Sequence, residues 1–159
     1  MVTIPSFEFP TFPGIIADDD TTGGDPGTIS AADAQQLALL YEAALNRPAD
    51  LTGLNFWIDQ FESGRSVLNI SDYFVNSPEF KAVFGDQAAM TNTQLIDVFY
   101  QNVLNRAGED GGMTFWVGKL NDGMTREEVL YNFSISAENR DGSTYVTTLH
   151  NDGAGDWLF

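Results

Sequence analysis

Tyr41-Glu-Ala-Ala-Leu-Asn-Arg-Pro-Ala-Asp-Leu-Thr-Gly-Leu-Asn-Phe-Trp57 and Tyr100-Gln-Asn-Val-Leu-Asn-Arg-Ala-Gly-Glu-Asp-Gly-Gly-Met-Thr-Phe-Trp116 lie 59 positions apart in a chain of 159 residues. Carried outward, the same offset pairs residues 35–80 with 94–139 without a gap, and twelve of the 46 pairs are identical. Unrelated chains of average composition would share about 3. The middle of the chain is therefore a duplication, and whatever one copy folds into, the other should repeat.

Each copy reads as helices. Leu37, Leu40, Tyr41, Ala44 and Leu45 fall at i, i+3, i+4, i+7 and i+8, one face of an α-helix, and Ile96, Phe99, Tyr100, Val103 and Leu104 repeat the pattern. A second helix carries Leu54, Trp57, Ile58 and Phe61, matched by Met113, Trp116, Val117 and Leu120. Gly64 and Gly123 stand where a left-handed cap is needed. A third helix opens at Ser66 or Thr125 and buries Ile70 and Phe74, or Val129 and Phe133. A fourth opens at Ser77-Pro-Glu and at Ser136-Ala-Glu. Thr91 with Gln94 and Thr125 with Glu128 have capping-box spacing; Ser30 with Asp33 is a looser start. No segment alternates apolar and polar residues long enough to claim a sheet.

The expected fold is all-α: two tandem repeats of about four short helices, two similar bundles packed as one body. Residues 1–29 form an extended arm and acidic linker, 30–84 the first repeat, 85–92 a linker, 93–140 the second repeat and 141–159 a C-terminal tail. The linker is too short to hold the copies apart. In the arm, Phe7, Phe9 and Phe12 alternate with polar or proline positions and could lie along the folded body.

The pattern Tyr41-x3-Leu45-Asn-Arg47-Pro-x-Asp50-x-x-Gly53-Leu-x-Phe-Trp57, then Gly64, then Phe74-x-x-Ser77-Pro-Glu79-Phe80, resembles a bacterial domain-of-unknown-function family, the one numbered 4214. The second copy is similar but departs at three places: Pro48 becomes Ala107, Asp50 becomes Glu109 and Phe80 becomes Asn139. The resemblance implies a helical domain distantly like phycobilisome linker domains, found in secreted and surface-layer proteins and beside haemolysin-type calcium repeats. It implies no reaction.

Arg47 and Arg106 follow the first helix of each copy. There a guanidinium can cap helix-end carbonyls, or pair with Glu79 or Glu138 and tie the first loop to the fourth helix. The alternative is a contact to an anionic ligand such as a surface polysaccharide. Asp50 is placed to cap the helix carrying Trp57, three residues before Gly53, whose counterpart in the second copy is Gly112. With Thr52, Asp50 also resembles a short cation loop, and Asp18, Asp19, Asp20 and Asp25 in the linker have the composition of hard-cation ligands. None has the spacing of an EF-hand, so calcium is a candidate only. Trp57 and Trp116 are expected in the core. Phe56 and Phe115 face elsewhere on the same helix and are the better surface candidates.

The remaining constraints come from composition. There are 23 acidic residues against 7 basic ones, a net charge of −16, no cysteine and one histidine, His150. Such a field repels phosphate backbones and anionic lipid, so nucleic-acid partners and membrane insertion are not expected. Thiol chemistry, disulfides and multi-histidine metal sites are excluded within one chain. The opening residues have no basic n-region and are broken by prolines, and no apolar run reaches the ~18 residues of a transmembrane helix.

The last residues, Asp156-Trp157-Leu158-Phe159, resemble the uncleaved export signal of type I secretion substrates; the alternative is that the tail docks on the bundle. The expected function is a non-catalytic extracellular structural or binding module. It would leave through a type I exporter by its C-terminus and act on polysaccharide or protein at the cell surface, surface layer or matrix. A calcium-dependent carbohydrate-binding protein is the alternative, and a carboxylate-based carbohydrate-active enzyme the third.

Overall fold

Side-chain oxygens start almost every helix. Ser30, Asp50, Ser66 and Ser77 in the first copy, and Thr91, Thr125 and Ser136 in the second, each accept the backbone N–H three residues on. An N-cap of this kind contributes about 1 kcal/mol by satisfying a donor the helix cannot. Thr91–Gln94 and Thr125–Glu128 close as reciprocal capping boxes. The helices are α1 (Ala31–Leu45), α2 (Leu51–Glu62), α3 (Val67–Val75) and α4 (Pro78–Phe84), then α5 (Asn92–Val103), α6 (Asp110–Asn121), which alone of these eight lacks such a cap, α7 (Arg126–Ile135) and α8 (Ala137–Gly142). This computed structural model describes residues 29–144 and 146–159. The candidate ligands Asp18, Asp19, Asp20 and Asp25 and the rings of Phe7, Phe9 and Phe12 lie outside the described residues.

Both second helices end the same way. Gly64 (φ +94°) and Gly123 (φ +106°) occupy the left-handed position. The N–H of the residue after each glycine reaches back to the carbonyl of Gln60 or Lys119, the longer bond of a Schellman motif. The first helices use asparagine instead: Asn46 (φ 51°) and Asn105 (φ 54°) are left-handed. Asparagine is the non-glycine residue that pays least for this conformation.

The two repeats of four helices pack as one body, as expected, and they share one core. α7, from the second copy, packs on α1 and α3 of the first as well as on α5, α6 and α8 of its own, and its contact with α1 is the most extensive between helices. The cause lies in residues outside the amphipathic stripe. Leu39, Ala38 and Ala43 on α1, and Leu130, Tyr131, Ser134 and Ile135 on α7, are buried together with the stripe residues. A helix apolar on all sides must sit between other elements. Tyr131 donates to Gln36 Oε1 (2.8 Å) and Ser71 to the Glu127 carbonyl (2.9 Å), fixing α7 to α1 and α3.

Arg126 holds the segment joining the copies. Its guanidinium donates to the carbonyls of Gln87 and Met90 and to the side-chain oxygens of Gln87 and Asn92. At the other end of the chain, β1 (His150–Asn151) and β2 (Trp157–Leu158) form an antiparallel pair. Two residues per strand are too few for alternation to be read. The hairpin docks on α2: Trp157 N–H donates to Asn55 Oδ1 (2.9 Å), Asn55 Nδ2 donates to the Trp157 carbonyl (3.1 Å), and the indole is 3% exposed. In the folded chain the tail is thus docked on the bundle.

Candidate functional site

The loop after α1 carries Arg47 onto the start of α4. Nε donates to Glu79 Oε1 (2.7 Å) and Nη2 to Glu79 Oε2 (3.3 Å), the two-pronged geometry available to arginine and not to lysine. Nη2 also donates to the Tyr41 hydroxyl (2.9 Å), and Nη1 to Asp50 Oδ2 (3.2 Å) and the Pro48 carbonyl (3.4 Å). These bonds occupy all five guanidinium donors. The carbonyl that Arg47 takes belongs to the loop and not to α1, so of its two expected structural roles the structure has the pairing with Glu79. A side chain spent in this way ties loop to helix and has nothing left for an anionic ligand.

Asp50 closes the same network. Oδ1 accepts the Gly53 N–H (2.7 Å) and Oδ2 the Tyr41 hydroxyl (2.6 Å). Those two bonds, with Arg47 beside them, hold its carboxyl down at about 2. Burial and the Asp50 carboxylate push the Tyr41 phenol up. Both Asp50 oxygens are thus engaged in capping α2 and binding Tyr41, so the cap reading describes it. In the second copy Arg106 repeats the clamp, donating to Glu138 Oε1 (2.5 Å) and Oε2 (3.0 Å) and to Glu109 Oε1 (2.5 Å). Glu109 makes no side-chain bond to α6, because its longer side chain is drawn to Arg106. Gly112, the counterpart of Gly53, is buried at the start of α6.

Behind each clamp runs the same ladder of rings. In the first copy Tyr41 meets Phe74 (5.4 Å), Phe74 meets Trp57 (5.1 Å) and Trp57 meets Phe56 (5.1 Å). Tyr100, Phe133, Trp116 and Phe115 repeat it at 5.1, 5.2 and 5.1 Å. Trp57 and Trp116 are buried, as expected of core residues.

The outer rungs differ between the copies. Phe56 is 53% exposed, and Tyr73, which packs on Trp57 at 4.8 Å, is 57% exposed. In the second copy the Tyr73 position is Asn132, which is buried and bonded to the Glu128 carbonyl, and Phe115 is half-buried with the Lys119 ammonium 5.4 Å from its ring centre. Only the first copy therefore presents an open aromatic face. Phe56, Trp57, Tyr73, Pro78 and Glu79 line a groove of about 390 Å³ there. Phe56 also borders a second groove of about 420 Å³ with Leu51, Asn55, Asp156 and Leu158.

Tyr73 was not singled out in the sequence, and the one mark it carries there is its replacement by Asn132 under the repeat offset. Of the tail residues, Trp157 is buried, Phe159 packs partly against the core, and Asp156 and Leu158 border the second groove. Among the described residues no three His, Cys, Asp or Glu side chains gather into a metal-binding group, and no helix is long and apolar enough to cross a membrane.

Residues 27–84 and 71–143 each match the family described as a domain of unknown function (DUF4214), and the chain belongs to that family, in two copies. No curated protein and no solved structure matches it significantly.

Proposed function

We propose that this protein is a non-catalytic extracellular binding module that holds a cell-surface or matrix polysaccharide on the aromatic face of its first repeat. The observation that carries this reading is the divergence of two otherwise matching ring ladders: Phe56 and Tyr73 stand open in one copy, and their counterparts are covered or replaced in the other. Exposed flat rings beside a few polar groups suit a sugar ring, which needs an apolar platform and hydrogen-bond partners at its rim. Ser77, Glu79 and the Tyr73 side chain line the groove, the Glu79 carboxylate from within its clamp with Arg47. The net charge of −16 disfavours acidic polysaccharides, so the preferred ligand is a neutral or amino-sugar polymer.

The test is retention on insoluble polysaccharides at physiological salt. Cellulose or a β-glucan (neutral) and chitosan (cationic) should retain the protein and an alginate gel should not. Failure on every neutral and amino polymer would reject the reading. The setting follows the acidity, the lack of cysteine and the tail that resembles a type I export signal. Deleting residues 151–159 should then abolish secretion; a deletion that leaves secretion unchanged removes this part of the proposal.

A further inference from the structure

The last turns of α1 and α5, equivalent helices of the two repeats, open onto one cavity of about 170 Å³. Glu42 lines it from α1 and Asn46 from just past that helix, Asn102 from α5 and Asn105 from the loop after it, and Glu138 and Asn139 from α8. Glu42 Oε2 is shielded from solvent and has no hydrogen-bond partner among the described residues. A carboxylate oxygen in that state needs a proton, a water or a cation. The cavity has room for more than a single water, whose share of liquid volume is about 30 Å³.

Charge selects among these. Both helices point their C-terminal, negative dipole ends at the cavity. Arg47 also lines it, but its donors are spent on Glu79, Asp50, Tyr41 and Pro48, and Arg106 is paired with Glu138 and Glu109. Of the charged groups lining the cavity, Arg47 and Glu138 are thus each held in a clamp, and Glu42 is left without a counter-ion. The six residues named at the cavity can offer an ion hard oxygen donors, amide and carboxylate, and no sulfur or imidazole. One unpaired carboxylate among neutral oxygens suits calcium, which accepts irregular shells of six to eight oxygens. Magnesium demands a near-ideal octahedron, and a low ligand charge places calcium affinity near 10⁻⁴–10⁻³ M, the extracellular range.

We propose that this cavity binds a calcium ion with Glu42 as its one unpaired charged ligand, stapling the first repeat to the second. The site is separate from the aromatic face, so either can fail alone.

The experiment is thermal unfolding of the full chain with EDTA, 10 mM CaCl2 or 10 mM MgCl2 at matched ionic strength, together with calorimetric titration of calcium. Wild type should bind one ion, and calcium should raise its melting temperature by several degrees while magnesium does less. Glu42→Gln should lose the calcium response and melt no lower than wild type in EDTA, because the substitution removes an uncompensated shielded charge. The triple variant Asp18→Asn, Asp19→Asn, Asp20→Asn should keep the response. No heat and no shift at 10 mM calcium, or a shift that survives Glu42→Gln, overturns the proposal.

Discussion

Gly53 lies so close under the Tyr41 hydroxyl that a Cβ there would stand 2.8 Å from it and 3.1 Å from both Asp50 carboxylate oxygens. In an open helix, Gly→Ala gains about 1 kcal/mol of propensity. Here the methyl must displace a buried tyrosine packed on Phe74, and overpacking of that kind costs about 1–3 kcal/mol. Gly53→Ala is therefore expected to lower the unfolding free energy in denaturant titration, and a gain would show the network to be loose. Asp50 gives a pH signature. Its folded pKa of about 2 lies below the ~3.9 of an unfolded aspartate, so its stabilisation is present above pH ~4 and lost as pH falls toward 2. With 54% of the side chain exposed the effect is modest. Asp50→Asn should flatten the fall in denaturant midpoint between pH 4 and pH 2; a slope equal to wild type would contradict the assignment. Much of this was legible, since Arg47, Glu79, Arg106 and Glu138 repeat at the 59-residue offset and their charges invite pairing. Tyr73 was not, because a tyrosine just off the core stripe of a helix is as compatible with packing as with exposure.

Every helix was marked by a cap residue, a glycine stop or a 3.6-residue stripe, so the elements could be read with little ambiguity. Their packing was less legible. The stripe on α1 accounts for Leu37, Leu40 and Tyr41 but says nothing of Leu39, which is fully buried in a helix that packs on α7 as well as on its own repeat. Periodicity reports one contact face, and a helix with two faces covered shows only a weaker period. The hairpin was missed for the opposite reason: its strands are two residues long and are held by Asn55, a residue 102 positions away from Trp157. Removing residues 151–159 should cost about 1.5–3 kcal/mol for the Trp157 indole alone. A truncated protein melting with wild-type stability would mean that the tail is only laid on the surface.

At the scale of the molecule, duplication supplies a scaffold twice and leaves one copy free to diverge outward. Both copies keep the Arg–Glu clamp and the ring ladder, and their helices interlock through α7 into one core. Only the first leaves two neighbouring rings in solvent. Phe56 and Tyr73 are each more than half exposed, and the chief buried ring that each meets is Trp57, so truncation should cost about 0.5–1.5 kcal/mol for each lost ring pair. The most direct test of the account is retention on chitosan and on an insoluble β-glucan of three proteins with unfolding midpoints checked in parallel: wild type, Phe56→Ala with Tyr73→Ala, and Phe115→Ala. The account predicts that the first and third are retained alike and that the double variant elutes at least tenfold more readily while still unfolding cooperatively, its midpoint lowered by no more than those two ring contacts. Retention of the double variant equal to wild type, or equal loss in Phe115→Ala, would contradict it.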